Sequence, residues 1–274
     1  MKRYFALILL IFPILNELKA QDTIQYIIPD RVNRSGQLKK PYVILISADG
    51  FRSDLADKYQ AKNLLKFRDQ GVNAAYMLAS FPSLTFPHHY TIVTGLYPAH
   101  HGLVDNSFYD PSRKEFYSLG KKSAVQDSSW YGGTPLWVLA EKEGMLTASS
   151  YWVGSEAAIQ GVRPTYYYKF NNLIPMDERI RAVHDWLSLP EEKRPHLIFF
   201  YIPDVDHQEH LHTVDSKETE KAVHFVDESI AKLAASVGAL HLPVNFIFLS
   251  DHGMMTVDTA HTIGLPPALD TNQF

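Results

Sequence analysis

Three short stretches of this 274-residue chain end in carboxylates that stand beside further metal-binding side chains. Tyr42–Ser47 (YVILIS) runs into Ala48-Asp49-Gly50. Leu197–Ile202 (LIFFYI) runs into Pro203-Asp204-Val205-Asp206-His207, and Val244–Ser250 (VNFIFLS) into Asp251-His252-Gly253. Open α/β sheets bind their ligands beyond the carboxyl ends of the strands. If the three stretches are parallel neighbours, Asp49, Asp206 and Asp251 converge on one patch of that edge. Unpaired carboxylates held together there would repel one another, and a divalent cation resolves the conflict. Aspartate also ends strands because it suits turns. Three such ends, two of them flanked by histidine, favour the metal.

Spacing sharpens that reading. Asp206 and His210 are four residues apart, so on a helical turn both face the same way and can grip one ion. Asp251 and His252 are adjacent, which suits a strand end splaying toward two neighbouring sites. His207, one residue from Asp206, is expected to face away, and His212 is likewise set aside. The chain has no cysteine, which excludes a disulfide scaffold, a thiolate metal site and a cysteine nucleophile. Nitrogen and oxygen must then hold any metal, a donor set that suits zinc but also manganese or iron.

A hydroxyl nucleophile is offered by Phe81–Gly95 (FPSLTFPHHYTIVTG), which has the grammar of a loop feeding a helix. Thr85 is expected at the N-cap, Pro87 in the first turn and Gly95 at the end. A hydroxyl so placed sits where backbone N–H groups and the helix dipole attract an anion such as phosphate. An ordinary capping threonine would look the same. A neighbouring carboxylate–histidine metal cluster favours the nucleophile, because a metal makes a hydroxyl far easier to deprotonate.

These residues need a frame. The three apolar runs read as buried strands of a mostly parallel sheet, being β-branched or aromatic and nearly continuous rather than alternating. Helical patterns lie between them: one opened by Thr134-Pro135 and closed by Gly144, one over Met176 to Leu187, and one over Asp215 to Val237 ended by Gly238. Strands alternating with helices predict a doubly wound α/β domain. Composition agrees: 46% hydrophobic residues can bury a large core, and a net charge of −4 excludes an electrostatically driven binder of nucleic acid or anionic membranes. Lys2 and Arg3, an apolar run from Tyr4 to Leu15 and Ala20 have the order of an export signal over residues 1–20, too short to span a bilayer comfortably. Residues 21–40 are polar and without periodicity, a lead-in arm to a catalytic domain over 41–274. Asn33-Arg34-Ser35 is a glycosylation sequon. An exported chain, periplasmic or extracellular, is expected.

Five ordered motifs, ADGFR (48–52), FPSLTFPHHYTIVTGLYPAHHGLVDN (81–106), WVGSE (152–156), DVDHQEH (204–210) and LSDHGM (249–254), resemble the nucleotide pyrophosphatase/phosphodiesterase family of the alkaline phosphatase superfamily. The resemblance covers residues 41–274 and implies an alkaline-phosphatase-like α/β fold with helices on both faces of the sheet. It implies two zinc ions, one held by Asp49, Thr85, Asp251 and His252, the other by Asp206, His210 and a later histidine. Thr85 would be the nucleophile, passing through a phospho-threonine, and Asn106 would hydrogen-bond a phosphoryl oxygen. Phe86, Phe170 and Trp152 would line the pocket for a nucleobase or another leaving group, although plain core packing also explains aromatic residues. The activity implied is hydrolysis of phosphodiester or pyrophosphate bonds, with nucleotide-type small-molecule substrates favoured.

The chain departs from the family pattern in two places. Glu209 precedes His210 where the family has glycine, and Leu211-His212-Thr213 replaces a glycine-rich continuation. The family also runs on well past its LSDHGM-type motif, whereas this chain stops at Phe274. Missing strands would leave an exposed apolar face prone to aggregation, and His261 does not match the family's last ligand. Two readings follow: a phosphodiesterase truncated at its C-terminus, or a non-catalytic secreted protein that binds metal or phosphate.

Overall fold

The computed structural model describes residues 23–261; the expected export signal over 1–20 lies outside them. Eight strands are found among these residues: β1 (Gln25–Ile27), β2 (Tyr42–Ala48), β3 (Ser107–Asp110), β4 (Glu115–Ser118), β5 (Thr147–Ser150), β6 (Tyr166–Tyr168), β7 (Leu197–Ile202) and β8 (Val244–Leu249). The helices are α1 (Leu55–Lys58), α2 (Lys62–Asp69), α3 (Thr85–Thr94), α4 (Pro98–His101), α5 (Lys122–Val125), α6 (Leu136–Lys142), α7 (Met176–Ser188), α8 (Asp204–His212) and α9 (Lys217–Gly238). Six strands form one sheet in the order β1-β6-β5-β7-β2-β8, and β3 and β4 make a separate hairpin. All pairings in the large sheet are parallel except that of β1 with β6.

The three runs expected to be parallel neighbours are adjacent: β2 lies between β7 and β8. Period two assigns their residues to opposite faces. Ile44, Ile46 and Ala48 join Ile198, Phe200 and Ile202 under α7 and α9, where Val183, Trp186, Val226 and Leu233 pack. Leu45 and Phe199 face the other way, onto Tyr90 and Val93 of α3 and Trp137 of α6. Both faces of β2 and β7 are thus covered, which is why these two strands carry continuous apolar residues; β8, expected to be buried alike, instead alternates half-buried and exposed residues from Val244 to Ile247.

Local expectations hold with shifts that have physical causes. Leu84, not Thr85, is the N-cap of α3, because Leu84 takes the extended backbone (φ −122°, ψ 155°) and Thr85 is already helical; Gly95 ends the helix in the left-handed conformation. Pro135 likewise takes the N-cap of α6, one residue later than expected. Ser216 caps α9 by accepting a hydrogen bond from the Thr219 amide. Within the expected lead-in arm over 21–40, the described residues 23–40 are tied into the fold. They contribute β1 to the sheet edge. The buried Asn33 side chain donates to the Glu191 and Arg194 carbonyls and accepts from the Leu146 amide. The sequon asparagine is therefore occupied within the fold. β8 is the outer strand of the sheet among the described residues, with Ile247 47% exposed.

Candidate metal and phosphoryl-transfer site

β2, β7 and β8 end at the same edge and deliver Asp49, the start of α8, and the Asp251-His252 pair. Gly50 lets them come together. Its φ of +70° turns the chain sharply, and a Cβ there would lie 2.9 Å from both Cα and Cβ of Asp206. The Asp206 amide donates to the Asp49 carbonyl at 3.1 Å, and the Gly50 amide donates to Asp251 Oδ1 at 3.3 Å. Backbone thus stitches the three strand ends into one patch.

The side chains face a common point rather than one another. His252 Nε2 lies 3.2 Å from Asp251 Oδ2 and 3.4 Å from Asp49 Oδ1, yet both carboxylate oxygens are buried without a hydrogen-bond partner. One donor atom from each of Asp49, Asp251 and His252 falls within 4.8 Å of the others. Asp206 Oδ1 is similarly orphaned, 3.4 Å from His210 Nε2 one helical turn on. Buried carboxylate oxygens without partners are costly. Burial, and then the charges of Asp251 and Asp206, push the Asp49 carboxyl well above its ordinary range. Burial raises Asp206 too. Asp251 goes the other way: burial opposes ionisation, but His89 and His252 hold it below the usual range. An oxygen-rich, thiolate-free set with one imidazole fits a hard or borderline divalent cation, zinc included.

Helix α3 abuts this patch. Thr85 opens it, and the ring nitrogen Nδ1 of His88 contacts the Asp251 carbonyl. Asn106 is tied to the same helix start: its Oδ1 accepts the Phe86 amide at 2.9 Å, which leaves its NH₂ to donate elsewhere. Phe86 is half-buried against Tyr117. Phe170 is 44% exposed, its ring edge-on to Tyr151 and close to Tyr201, on the rim of a pocket with Ile174, Arg179, Asp204 and Phe225. Trp152, expected to line a ligand pocket, is instead 1% exposed in the core, its indole N–H bonded to the His89 carbonyl. His207 and His212 are exposed. Glu209 is 3% exposed with both carboxylate oxygens unpartnered, and burial, then the Asp206 charge, raise it to about 7.

Two residues at this site carry no signal of their own in the sequence. Tyr201 donates its hydroxyl to Asp49 Oδ2 at 2.5 Å, and His89 lies fully buried with Nδ1 3.2 Å from Asp251 Oδ2. Spacing could have found both: Ser47 and Tyr201 are register partners on the α3 side of the sheet, and His89 is one helical turn from Thr85.

Acidic and imidazole donors gather at the carboxyl edge of a parallel sheet in an α/β protein, beside a helix start bearing a hydroxyl, as a candidate metal site. The model of the type I phosphodiesterase / nucleotide pyrophosphatase family matches residues 43–273, and the chain belongs to that family. An uncharacterized pyrophosphatase/phosphodiesterase of Schizosaccharomyces pombe is 40% identical over 215 residues, covering 77% of this chain and 44% of that protein. Ectonucleotide pyrophosphatase/phosphodiesterase family member 3 of Rattus norvegicus is 38% identical over 221 residues, 78% of this chain and 25% of that protein. Among solved structures, the murine ectonucleotide pyrophosphatase/phosphodiesterase 5, an inactive threonine-to-alanine variant in complex with AMP, superposes with a TM-score of 0.78 at 29% identity. That match covers 85% of this chain and 62% of the murine one, and the fold is the alkaline-phosphatase-like α/β arrangement. The chain spans less than half the length of these two curated relatives.

Proposed function

We propose that this chain carries the hydrolytic centre of an exported phosphodiesterase or nucleotide pyrophosphatase with Thr85 as its nucleophile. One observation carries the reading: orphaned oxygens of Asp49 and Asp251 and the His252 imidazole face one point at the strand ends, against the helix that Thr85 opens. Asp49, Thr85, Asp251 and His252 would hold one zinc, and Asp206 with His210 part of a second. When bound, such ions supply charge neutralisation at the phosphoryl oxygens and ease loss of the hydroxyl proton. Thr85 Oγ attacks phosphorus, the ester or anhydride oxygen leaves, and water then cleaves the phospho-threonine. Asn106, fixed through its Oδ1 to the Phe86 amide, keeps its NH₂ for a phosphoryl oxygen that gains charge in the transition state. Phe86 and the exposed ring of Phe170 offer apolar faces to a nucleobase or similar leaving group. The murine neighbour, inactive as a threonine-to-alanine variant and bound to AMP, supports a threonine nucleophile and a nucleotide substrate. The ectonucleotide relatives support export.

The test is hydrolysis of p-nitrophenyl-TMP against p-nitrophenyl phosphate, with zinc present, by the chain and by Thr85→Ala. Diester turnover that chelator strips and Thr85→Ala abolishes is the expected result. A chain that binds zinc yet turns over neither ester favours a binder of metal or phosphate instead.

A further inference from the structure

We infer that His89 is a positioning residue, with a hydrogen on Nδ1, that fastens the backbone of Thr85 and strand β2 to one another beside Asp251. The inference rests on the proposed roles of Thr85 and Asp251. The geometry fixes one hydrogen. Nδ1 lies 2.8 Å from the Thr85 carbonyl, and a carbonyl can only accept. Nδ1 must therefore carry the hydrogen and direct it at the nucleophile's own backbone. Nε2 lies 2.9 Å from Ser47 Oγ, two residues before Asp49 on β2, and both groups are fully buried. The Ser47 hydroxyl can donate to Nε2 or accept from it, so this contact anchors the ring to β2 in either case. Asp251 Oδ2 stands 3.2 Å from Nδ1 yet has no hydrogen-bond partner. It feels the positive end of the N–H dipole while its lone pairs stay directed at the point shared with Asp49 and His252.

The ring has no freedom to do otherwise. It packs edge-on against Trp152 at 5.3 Å and Tyr201 at 5.1 Å, and the Trp152 indole N–H holds the His89 carbonyl. Tyr201 in turn donates to Asp49. A buried ring scaffold thus stands beneath both carboxylates, and His89 is the member that also reaches the nucleophile segment. Partners of metal ligands and of reacting groups act by fixing orientation, and their loss costs about 10–100-fold in metal affinity or activity.

Two conservative variants separate the ring's nitrogens. An asparagine amide occupies the place of Nδ1, and a glutamine amide that of Nε2. His89→Asn keeps the donor to Thr85 and is expected to lose less zinc affinity and diester kcat than His89→Gln. His89→Gln is expected to lose about 10–100-fold in kcat and in zinc affinity measured calorimetrically, with KM little changed. Imidazole nitrogen NMR of the metal-free chain is expected to place the His89 proton on Nδ1. An Nδ1 without a proton, or a glutamine variant equal to or better than the asparagine one, overturns the inference. If either variant fails to fold, the Nδ1 proton alone decides. Wild-type protein that neither binds zinc nor cleaves the diester sinks the proposed function, while the NMR result still judges the Nδ1 proton.

Discussion

His101 makes a pH experiment that can be worked through from the structure. Its imidazole is fully buried at the end of α4. Nε2 lies 3.2 Å from the Pro87 carbonyl and 3.0 Å from Thr91 Oγ1, both on α3, while Nδ1 accepts the Leu103 amide at 3.2 Å. The neutral ring with hydrogen on Nε2 satisfies every partner; a proton added at Nδ1 would face the Leu103 N–H. Burial accordingly lowers the pKa from 6.5 to about 4. A histidine depressed in the folded state lends stability that is fully present above the unfolded pKa and is lost as pH falls through the folded one. The shift of roughly 2.5 units corresponds to about 3 kcal/mol, of which about 2 kcal/mol is gone by pH 5. His101→Gln keeps a donor near Nε2 and removes the titration. At pH 7 it should be less stable than wild type by about 1–2 kcal/mol, for the lost Leu103 partner and packing. The gap should close by about 2 kcal/mol on acidification to pH 5, leaving the variant equal or ahead. Urea unfolding in chelator at each pH measures the difference and cancels the carboxylates common to both proteins. A gap that stays constant from pH 7 to pH 4.5 would refute the assignment of a buried, neutral His101.

Two further expectations concern the strand ends. Tyr201→Phe removes the hydroxyl that donates to Asp49 Oδ2 at 2.5 Å, and zinc affinity should drop about 10–100-fold with little change in fold, as partners of ligating carboxylates do; a calorimetric titration matching wild type contradicts this. Gly50→Ala places a Cβ at φ +70°, 2.9 Å from the Asp206 backbone. It should cost at least about 2 kcal/mol in unfolding free energy and lower the zinc content by displacing α8. A wild-type melting curve with unchanged zinc would show that the close approach of β2 and α8 is not required.

The parts of this site legible in the sequence are those whose local pattern coincides with their tertiary role. Continuous apolar runs announce strands, of which β2 and β7 are covered on both faces, and the carboxylates at the ends of all three runs inherit one edge because the runs are parallel neighbours. The four-residue spacing of Asp206 and His210 becomes a shared face because α8 begins at Asp204. Other elements have no such coincidence. β5 reads Thr-Ala-Ser-Ser, without an apolar run, yet every residue is buried. Its polar atoms are satisfied inside the fold, Thr147 by Glu141 and Ser149 by Ser155. β1 is three residues long and is a strand only because β6 is there to pair with it. Such strands are products of the sheet that receives them.

Trp152 and His89 illustrate the same limit within the site. The family resemblance implies Trp152 as a surface for a ligand and the sequence shows His89 as one histidine in a helix, and nothing local distinguishes contact with substrate from contact with the residues that touch it. Burial does. With 1% exposure and its indole N–H on the His89 carbonyl, Trp152 can act only by holding His89. Ser47, the other anchor of that ring, is a small polar residue inside an otherwise apolar strand, on the same face as Asp49 two residues on. A hydroxyl buried there needs a partner. The partner it finds is the imidazole that clasps Thr85, so the polar interruption in YVILIS belongs to the site as much as the aspartate that follows it.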